Sequence, residues 1–309
     1  MTVLAQSFRS WHDERVMILV SGASGFVGGE LVRRLAAKSI PVRALVRSPE
    51  RAGGLAGLPG VEIATGDMQQ PDTLRDAFRD VDRAMVISSS VAAMADVQNS
   101  FIDTAARSGV KHMVKLSGSI SDLASPFRFA RMHAASEQHL EQSGMTWTHL
   151  RAGEFMHSYF RQVPAIVNRG ILPLPMGDAR IASIDIGDIA EVAVAVLTDD
   201  RHNGKAYLIT GPESLTMAEI AERLSRVTGK TIRYVDVDPE AAKEAQRAAG
   251  VPPYAIEALG ELFAERRAGK ESVLSPVIPD VFGWQPASFE EFATRHAAVF
   301  RGKQPPPKV

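Results

Sequence analysis

The sequence predicts an α/β protein in which a doubly wound parallel sheet is followed by a smaller C-terminal lobe. Short apolar runs, typical of strands buried on both faces, alternate with helical patterns as far as Leu150. The first run, residues 16–20, ends at glycines that recur every third residue, and a helical pattern follows them. Beyond Leu150 the alternation weakens. This arrangement predicts a sheet covered by helices on both faces, with ligands at the carboxyl ends of its strands.

The later elements are predicted from the same two periodicities. Apolar runs predict strands at 41–46, 61–65, 83–87, 110–116 and 145–150. Helical spacing predicts a helix from Phe26 onward and further helices over 71–78, 92–107 and 129–142. In the C-terminal part we expect a helix over 189–197 that returns to the sheet, strands at 206–209 and 231–237, and a helical region over 239–269 broken at Gly250 and Pro252-Pro253.

Several helix starts carry capping signals. The candidate pairs are Asp188 with Glu191, Thr216 with Glu219, Ser288 with Glu291, and Asp238 before Pro239. We therefore interpret Asp188 as a helix cap and not as a catalytic acid, because a cap already accounts for its side chain.

Composition excludes several classes of function. The 309 residues include 35 basic and 36 acidic side chains, so no overall field favours nucleic acid or an anionic membrane. There is no cysteine, which excludes disulfides, thiolate metal sites and a cysteine nucleophile. The 8 histidines form no H-E-x-x-H pair, and we predict no metal site.

No sequence feature indicates a membrane or secretion route. Residues 1–15 lack the apolar core of a signal peptide, and no apolar run approaches the ~20 residues that span a bilayer. We expect a cytoplasmic protein with a small-molecule partner, and a homodimer stays open.

The glycine-rich turn has the properties of a phosphate-binding site. Gly22, Gly25 and Gly28 allow backbone angles that side chains forbid, and they let the main chain approach another group closely. Free amides at the start of the following helix then face the gap, and a pyrophosphate fits them. The G-x-x-G-x-x-G spacing departs from the common G-x-G-x-x-G. The alternative is a glycine-rich corner without a ligand.

The segment Ser21-Gly-Ala-Ser-Gly-Phe-Val-Gly28 resembles the cofactor turn of atypical short-chain dehydrogenase/reductases, and most closely that of the NmrA-like group. The resemblance extends from Val16 to about Phe300. It implies a Rossmann-type domain over 16–151 that binds a nicotinamide dinucleotide, and a substrate-binding lobe over 152–301 from which 181–198 returns to the sheet. An extension, 1–15, precedes them and a loose tail, 302–309, follows.

The second strand indicates which dinucleotide binds. In such folds an acid at its end bonds the ribose 2′-hydroxyl, whereas an arginine accepts a 2′-phosphate. No acid ends this strand, and Arg47 stands there, so we predict NADP(H) over NAD(H). Arg47 as a solvated side chain is the alternative, and Arg43 or Arg51 are candidates to share the phosphate contact.

The resemblance implies further cofactor contacts. Asp67 and Met68 match residues that contact the adenine, although Asp67 as a loop cap is the alternative. Ser88, Ser89 and Ser90 end the fourth strand, where ribose hydroxyls would lie or where a polar turn would need no ligand. The complete predicted set is Gly22, Ser24, Gly25, Phe26, Val27, Gly28, Arg47, Asp67, Met68, Ser88, Ser89, Ser90 and His133.

The expected proton donor of the dehydrogenases is missing. Their tyrosine stands four residues before a lysine, whereas this chain has Phe129 and His133 at those positions. Phenylalanine cannot donate a proton, which argues against ordinary ketone reduction. We predict that His133 bonds the nicotinamide ribose or the substrate, or relays a proton, with an ordinary helix-face histidine as the alternative. Ser119 matches the substrate-orienting serine, with a turn serine as its alternative.

Apolar side chains after the sixth strand are candidates for the substrate pocket. They are Phe155, Met156, His157, Tyr159 and Phe160, and core packing is the alternative for all of them.

Three hypotheses for function follow from these residues and the resemblance. The first is NADPH-dependent hydride transfer to a flat, quinone-like or aromatic compound, whose reduced form is less basic than an alkoxide. The second is a non-enzymatic NAD(P)-binding redox sensor of the NmrA type. The third is NADPH-dependent oxidation of an aromatic polyketide-like substrate.

Overall fold

The computed structural model describes residues 16–307. The predicted extension and the last two residues of the predicted tail lie outside this range. Residues 302–307 contain no helix or strand. The main feature is a seven-stranded sheet with the order β3-β2-β1-β4-β5-β6-β9, in which every neighbouring pair is parallel. Its strands are β1 Ile18–Val20, β2 Val42–Val46, β3 Val61–Thr65, β4 Arg83–Val86, β5 His112–Gly118, β6 Thr146–Ala152 and β9 Lys205–Ile209.

Helices cover both faces of this sheet. They are α1 Phe26–Ala37, α2 Met94–Arg107, α3 Arg128–Glu141 and α5 Ile186–Thr198. Successive strand residues point to opposite faces, so Ile18 and Val20 join the core under α1 and α5, whereas Leu19 joins the core under α2 and α3. The sequence prediction of a doubly wound parallel sheet is therefore confirmed. The strand order reverses between β1 and β4, which is where such folds bind ligands.

Segments from the C-terminal half return to the sheet. Helix α5 packs beside α1 in one apolar core. Strand β9 also joins, pairing with β6, although the predicted return did not include it. The remaining elements form the smaller lobe: α4 Val163–Arg169, β7 Ile171–Leu174, β8 Arg180–Ile181, β10 Leu215–Thr216, α6 Met217–Thr228, β11 Arg233–Asp236, α7 Pro239–Ala248, α8 Pro253–Arg267, α9 Phe289–Arg295 and α10 Ala297–Phe300.

The segment predicted as helical over 71–78 forms two short 3₁₀ helices, Pro71–Leu74 and Asp76–Phe78, with Leu74 and Phe78 buried. One capping prediction is wrong. Helix α5 is capped by Asp185, which accepts a hydrogen bond from the Gly187 amide at 2.6 Å, and not by Asp188.

The other capping predictions are confirmed. Full capping boxes are present at Thr216 with Glu219 and at Ser288 with Glu291. Asp238 caps α7. Asp188 has a different structural use, since its carboxylate accepts hydrogen bonds from the Trp284 ring at 3.3 Å and the Ala287 amide at 2.8 Å.

Among the helices of residues 16–307, none has both the length and the apolar character that a membrane crossing requires.

Candidate active site

The glycine-rich turn lies where β1 meets β4 at the carboxyl edge of the sheet. Ser21 fixes this junction, because its hydroxyl donates to the Ile87 carbonyl at 2.9 Å and accepts from the Ile87 amide at 2.8 Å. Gly22 then turns the chain with a φ of +60°, and the Gly25 amide donates to the Gly22 carbonyl at 2.9 Å. The turn thus delivers the start of α1 directly above the strand ends.

The first turn of α1 presents backbone amides without a side-chain cap. Gly25 is the N-cap residue and makes no capping bond, and the first turn contains no acidic residue. A side chain at Gly28 would place its Cβ 2.4 Å from the Gly22 carbonyl oxygen, so only glycine allows this close approach of helix and strand. Uncapped amides at the positive end of a 12-residue helix suit an anionic ligand. These residues fit the pyrophosphate of a dinucleotide.

The other predicted residues of this turn contribute differently. Ser24 is exposed, and Phe26 is half-buried with its ring centroid 5.3 Å from that of His157. The Val27 side chain is buried in the core, which leaves only its backbone for a ligand.

The ends of β2 and β3 carry the side chains predicted to select the dinucleotide. Arg47 is exposed, and within residues 16–307 it has no hydrogen bond or ion pair. Arg43, by contrast, is held by Glu62 at 2.7 Å and by the carbonyls of Ala77 and Arg79. Arg43 is therefore a structural residue, whereas the guanidinium of Arg47 faces solvent.

Asp67 and Met68 follow β3 at the same edge. One carboxylate oxygen of Asp67 accepts a hydrogen bond from the Gln69 amide at 3.0 Å, and its own amide donates to the Thr73 hydroxyl at 2.9 Å. The local turn therefore uses part of the Asp67 carboxylate. Met68 is half-buried and packs against the core under α2.

The serines after β4 also differ in their contacts. Ser88 accepts a hydrogen bond from the buried Gln98 of α2 at 2.8 Å, which fixes it to the helix. Ser89 and Ser90 are exposed at the strand end.

Ser119, just beyond β5, belongs to a buried ionic network that the sequence did not reveal. Its hydroxyl donates to Glu271 at 2.6 Å, and the other oxygen of Glu271 accepts from Arg266 at 2.5 Å. Arg266 also contacts Glu154, after β6, at 3.0 Å. Burial opposes the charge of Arg266, but the carboxylates of Glu154 and Glu271 raise its pKa. The network joins the end of α8 to the ends of β5 and β6.

His133 lies one turn into α3, against the end of β5. Its half-buried ring is next to Gly118, where an added Cβ would lie 3.1 Å from the ring carbon Cδ2. Its Nδ1 is 3.1 Å from the Nζ of Lys115. Burial, and then the charge of Lys115, lower the pKa of His133 well below its usual value. The imidazole is therefore neutral near pH 7.

Lys115, beside His133, is a further candidate residue that the sequence analysis did not identify. It is fully buried on β5, and its Nζ donates to the Ser117 hydroxyl at 3.2 Å. Within residues 16–307 it forms no ion pair. Burial lowers the pKa of Lys115 to about 7, with Glu137 opposing and Arg151 favouring the shift.

Phe129, at the position of the absent tyrosine, has apolar neighbours. Its ring contacts Phe127 and Tyr254 at centroid distances of 5.7 and 6.1 Å. Tyr254 belongs to α8, and its ring lies 4.6 Å from the guanidinium carbon of Arg128.

The candidate substrate residues divide into two groups. Met156, Tyr159 and Phe160 are buried in the core of the C-terminal lobe, which agrees with the core-packing alternative. Burial and the neighbouring Glu154 raise the pKa of Tyr159, which removes it as an acid. Phe155 and His157 are half-buried.

A cavity of about 390 Å³ lies beside α3, away from the glycine turn. Glu137 and Arg151 are among its lining residues. No residue of the glycine turn lines it, so this cavity is not the dinucleotide crevice.

Comparisons with known proteins agree with this architecture. The sequence profile described as "NmrA-like family" matches residues 14–293. The chain is 36% identical to the "NAD(P)H azoreductase" of Xenophilus azovorans, covering 92% of this chain and 99% of that protein.

Two solved structures have the same fold at 26–27% identity. The NADPH complex of quinone oxidoreductase QOR2 from Escherichia coli has a TM-score of 0.82 at 27% identity and covers 91% of this chain and 99% of its own. The Citrobacter sp. triphenylmethane reductase complexed with NADP(H) has a TM-score of 0.81 at 26% identity, with the same coverage of both chains.

Proposed function

The chain belongs to the NmrA-like family, and from this premise we propose that it is an NADPH-dependent oxidoreductase that transfers hydride to flat conjugated compounds. The observation that carries the proposal is the shared sheet edge. The uncapped amides of α1 lie at the end of β1, and His133 lies at the end of β5 two strands away. A dinucleotide bound at the switch point extends along this edge.

The cofactor would be held by the residues around the glycine turn. The turn residues Gly22, Ser24, Gly25, Phe26, Val27 and Gly28 would surround the pyrophosphate, and the free backbone amides among them would bind it. The Gly25 amide is not one of these, because it donates to the Gly22 carbonyl. Arg47 would hold the 2′-phosphate, Asp67 and Met68 the adenine, and Ser88, Ser89 and Ser90 the ribose hydroxyls. When bound, NADPH supplies the hydride.

The acceptor class follows from the proton chemistry. Phe129 has no phenol, and the neutral imidazole of His133 is a weaker acid than the lysine-activated tyrosine of the dehydrogenases. A quinone, azo compound or triphenylmethane dye disperses the incoming electron pair, so its reduced form requires less acid assistance than an alkoxide. The names of the azoreductase, quinone oxidoreductase and triphenylmethane reductase relatives support this class.

Two side chains would contact the acceptor from the C-terminal lobe. We assign this role to Phe155 and His157, because they are half-buried and precede the core helices of the lobe. The buried Met156, Tyr159 and Phe160 would support this wall from behind. The Ser119 hydroxyl already donates its hydrogen bond to Glu271. Ser119 would therefore orient the acceptor by lying beside it and not by donating a hydrogen bond to it.

The decisive experiment follows NADPH absorbance against a panel of quinones, azo dyes and triphenylmethane dyes. We expect turnover with at least one acceptor, and a loss in kcat of about a hundredfold in His133→Gln, the size of a general-acid effect. Arg33→Gln, on the exposed face of α1, is the control and keeps wild-type rates. Tight NADPH binding without turnover of any acceptor would overturn the proposal and favour a redox sensor.

Cofactor choice is tested separately with Arg47→Ala. Because this variant loses a charge-assisted contact to the 2′-phosphate, we expect NADPH affinity to fall about ten- to a hundredfold and NADH affinity to stay unchanged. Fluorescence titration with both nucleotides measures this. Equal losses for both nucleotides, or none for NADPH, would remove Arg47 from the 2′-phosphate site, and Arg51→Ala then tests the neighbouring alternative.

A further inference from the structure

A polar seam runs between α3 and the sheet, where doubly wound proteins normally have an apolar core. We define it as Lys115 and Ser117 of β5, His149 and Arg151 of β6, and His133, Glu137 and Glu141 of α3. The strand residues are cross-strand partners, Lys115 with His149 and Ser117 with Arg151, so all four point to one face. The helix residues recur every fourth position, so they share one stripe of α3.

Most charges in this seam have a partner of opposite sign. Glu137 is bound by Arg151 at 2.5 Å, and Glu141 lies 3.1 Å from His149. Burial alone would raise the pKa of Glu137, but hydrogen bonds from Arg151 and Ser117 lower it. Lys115 differs, since its side chain contacts the neutral Ser117 hydroxyl and the His133 ring. A buried lysine held only by neutral groups is costly to keep, which requires an explanation beyond packing.

We propose that Lys115 is the positioning residue that sets the His133 tautomer and supplies the proton that His133 passes to the reduced acceptor. The inference rests on the proposed reductase function. A protonated lysine has donors only, so His133 Nδ1 accepts from it and the imidazole proton is on Nε2. That nitrogen lies on the ring edge over Gly118, 3.5 Å from where a Cβ would stand, at the end of β5.

The proton transfer balances. Bound NADPH would supply the hydride, and His133 Nε2 would supply the proton, so that a quinone would become a hydroquinone. The Lys115 ammonium gives one proton to His133 Nδ1 and becomes a neutral amine. After product leaves, Nε2 takes a proton from water and Nδ1 returns its own to Lys115. One proton is consumed from solvent in each turnover, and the imidazole never carries a net charge at rest.

Burial supports this role, because it lowers the pKa of Lys115 to about 7, where the side chain both holds and releases a proton. The charged groups that face Lys115 and His133 are Glu137 from α3 and Arg151 and His149 from β6. Glu137 favours the ammonium and Arg151 opposes it, and the two side chains are themselves paired. The pH response of the site is therefore assigned to the Lys115 and His133 pair.

The first test uses the cofactor-free protein and ¹⁵N NMR of its imidazoles. In the wild type we expect the His133 proton on Nε2. In Lys115→Met the positive neighbour is gone, so the His133 titration midpoint moves upward by at least about half a pH unit. A proton on Nδ1 in the wild type, or a midpoint that does not move, would overturn the inference. The tautomer measurement requires no variant, so the test survives if Lys115→Met fails to fold.

The second test measures rates against pH with an acceptor that the wild type reduces. We expect Lys115→Met to lose at least tenfold in kcat with little change in KM, and to lose the decline in rate as pH rises above about 7. Lys205→Met, an exposed lysine on β9, and Tyr254→Phe, the phenol beside Phe129, keep the wild-type profile. A normal profile in Lys115→Met, or a loss of rate in Tyr254→Phe instead, would overturn this inference but not the proposed reductase function. If the wild type reduces no acceptor, the proposed function is overturned, and the NMR measurement then decides whether Lys115 sets the His133 tautomer.

Discussion

At the scale of single residues, the glycine turn has no room for a side chain at Gly28. An alanine at Gly28 would place its methyl carbon 2.4 Å from the Gly22 carbonyl oxygen, and both groups belong to fixed backbone. We expect Gly28→Ala to force α1 away from β1, with a loss of about 1–3 kcal/mol in the free energy of unfolding. NADPH affinity should fall at least tenfold, because the amides of α1 move with the helix. Chemical denaturation and fluorescence titration measure the two effects.

The matched control is Gly54→Ala, where an added Cβ meets nothing within 4 Å. Stability and NADPH affinity should stay at wild-type values there. Unchanged NADPH affinity in Gly28→Ala would contradict the assignment of the pyrophosphate to this turn.

Candidate site residues that stand in a recognisable local motif could be predicted from the sequence. Residues that only folding brings together could not. The glycine turn and His133 are readable because spacing or resemblance identifies each one within a short segment. Lys115 was missed because a lysine in a strand normally indicates an exposed edge, and its partner His133 is 18 residues away. The available signal was the four-residue spacing of His133, Glu137 and Glu141 on α3. This spacing predicts a polar stripe on a helix that must also cover the sheet.

At the scale of elements, the contact between the lobe and the sheet depends on one buried arginine. Arg266, near the end of α8, holds Glu154 and Glu271, and all three side chains are almost fully buried. Arg266→Met would leave two carboxylates in a dry site without their counter-ion. We expect a loss of about 3–5 kcal/mol in the free energy of unfolding, the cost of breaking a buried ion pair. Urea denaturation measures it.

The adjacent residue provides the control for this prediction. Arg267 is 42% exposed and pairs with Asp236 at 3.3 Å, so Arg267→Ala should cost less than about 1 kcal/mol. Equal losses in the two variants would mean that the buried network does not hold the lobe.

Elements with strong local signals were predicted well. Strand β3 has the predicted bounds 61–65, and the capping boxes of α6 and α9 begin their helices as expected. The start of α5 was misplaced by one turn because Asp185 and Asp188 are both plausible N-cap residues in the sequence. Asp188 instead accepts hydrogen bonds from the Ala287 amide, 99 positions later, and from the Trp284 ring, 96 positions later. No local sequence pattern contains these contacts.

At the scale of the whole molecule, long-range contacts decide what the sequence leaves open. The alternation predicted a doubly wound sheet, but the inclusion of β9 depends on its pairing with β6, more than fifty residues earlier. The bidentate contact of Arg128 with Glu261, at 2.6 and 2.9 Å, likewise fixes α8 against the start of α3. Such contacts pair residues more than fifty positions apart, so periodicity within a window carries no information about them.

The stability of the whole protein should also record the buried Lys115. Its folded pKa is about 7, against 10.5 for an ordinary lysine, so the unfolded chain binds more protons between these values. Below pH 7 the ammonium is charged in both states, and the folded state carries the full cost of burying it. As pH rises from 7 toward 10 this cost disappears. The wild type therefore gains stability relative to Lys115→Met across that interval, by on the order of a few kcal/mol.

The measurement is the difference in free energy of unfolding between wild type and Lys115→Met at several pH values from 6 to 10. Taking the difference cancels all groups that titrate equally in both proteins, so the slope belongs to Lys115 and its coupling to His133. Lys205→Met repeats the same change at an exposed position on β9, where the difference should be flat. A flat difference for Lys115→Met as well would show that Lys115 stays protonated in the folded protein throughout this range. It would then hold the His133 tautomer without being able to release a proton at neutral pH.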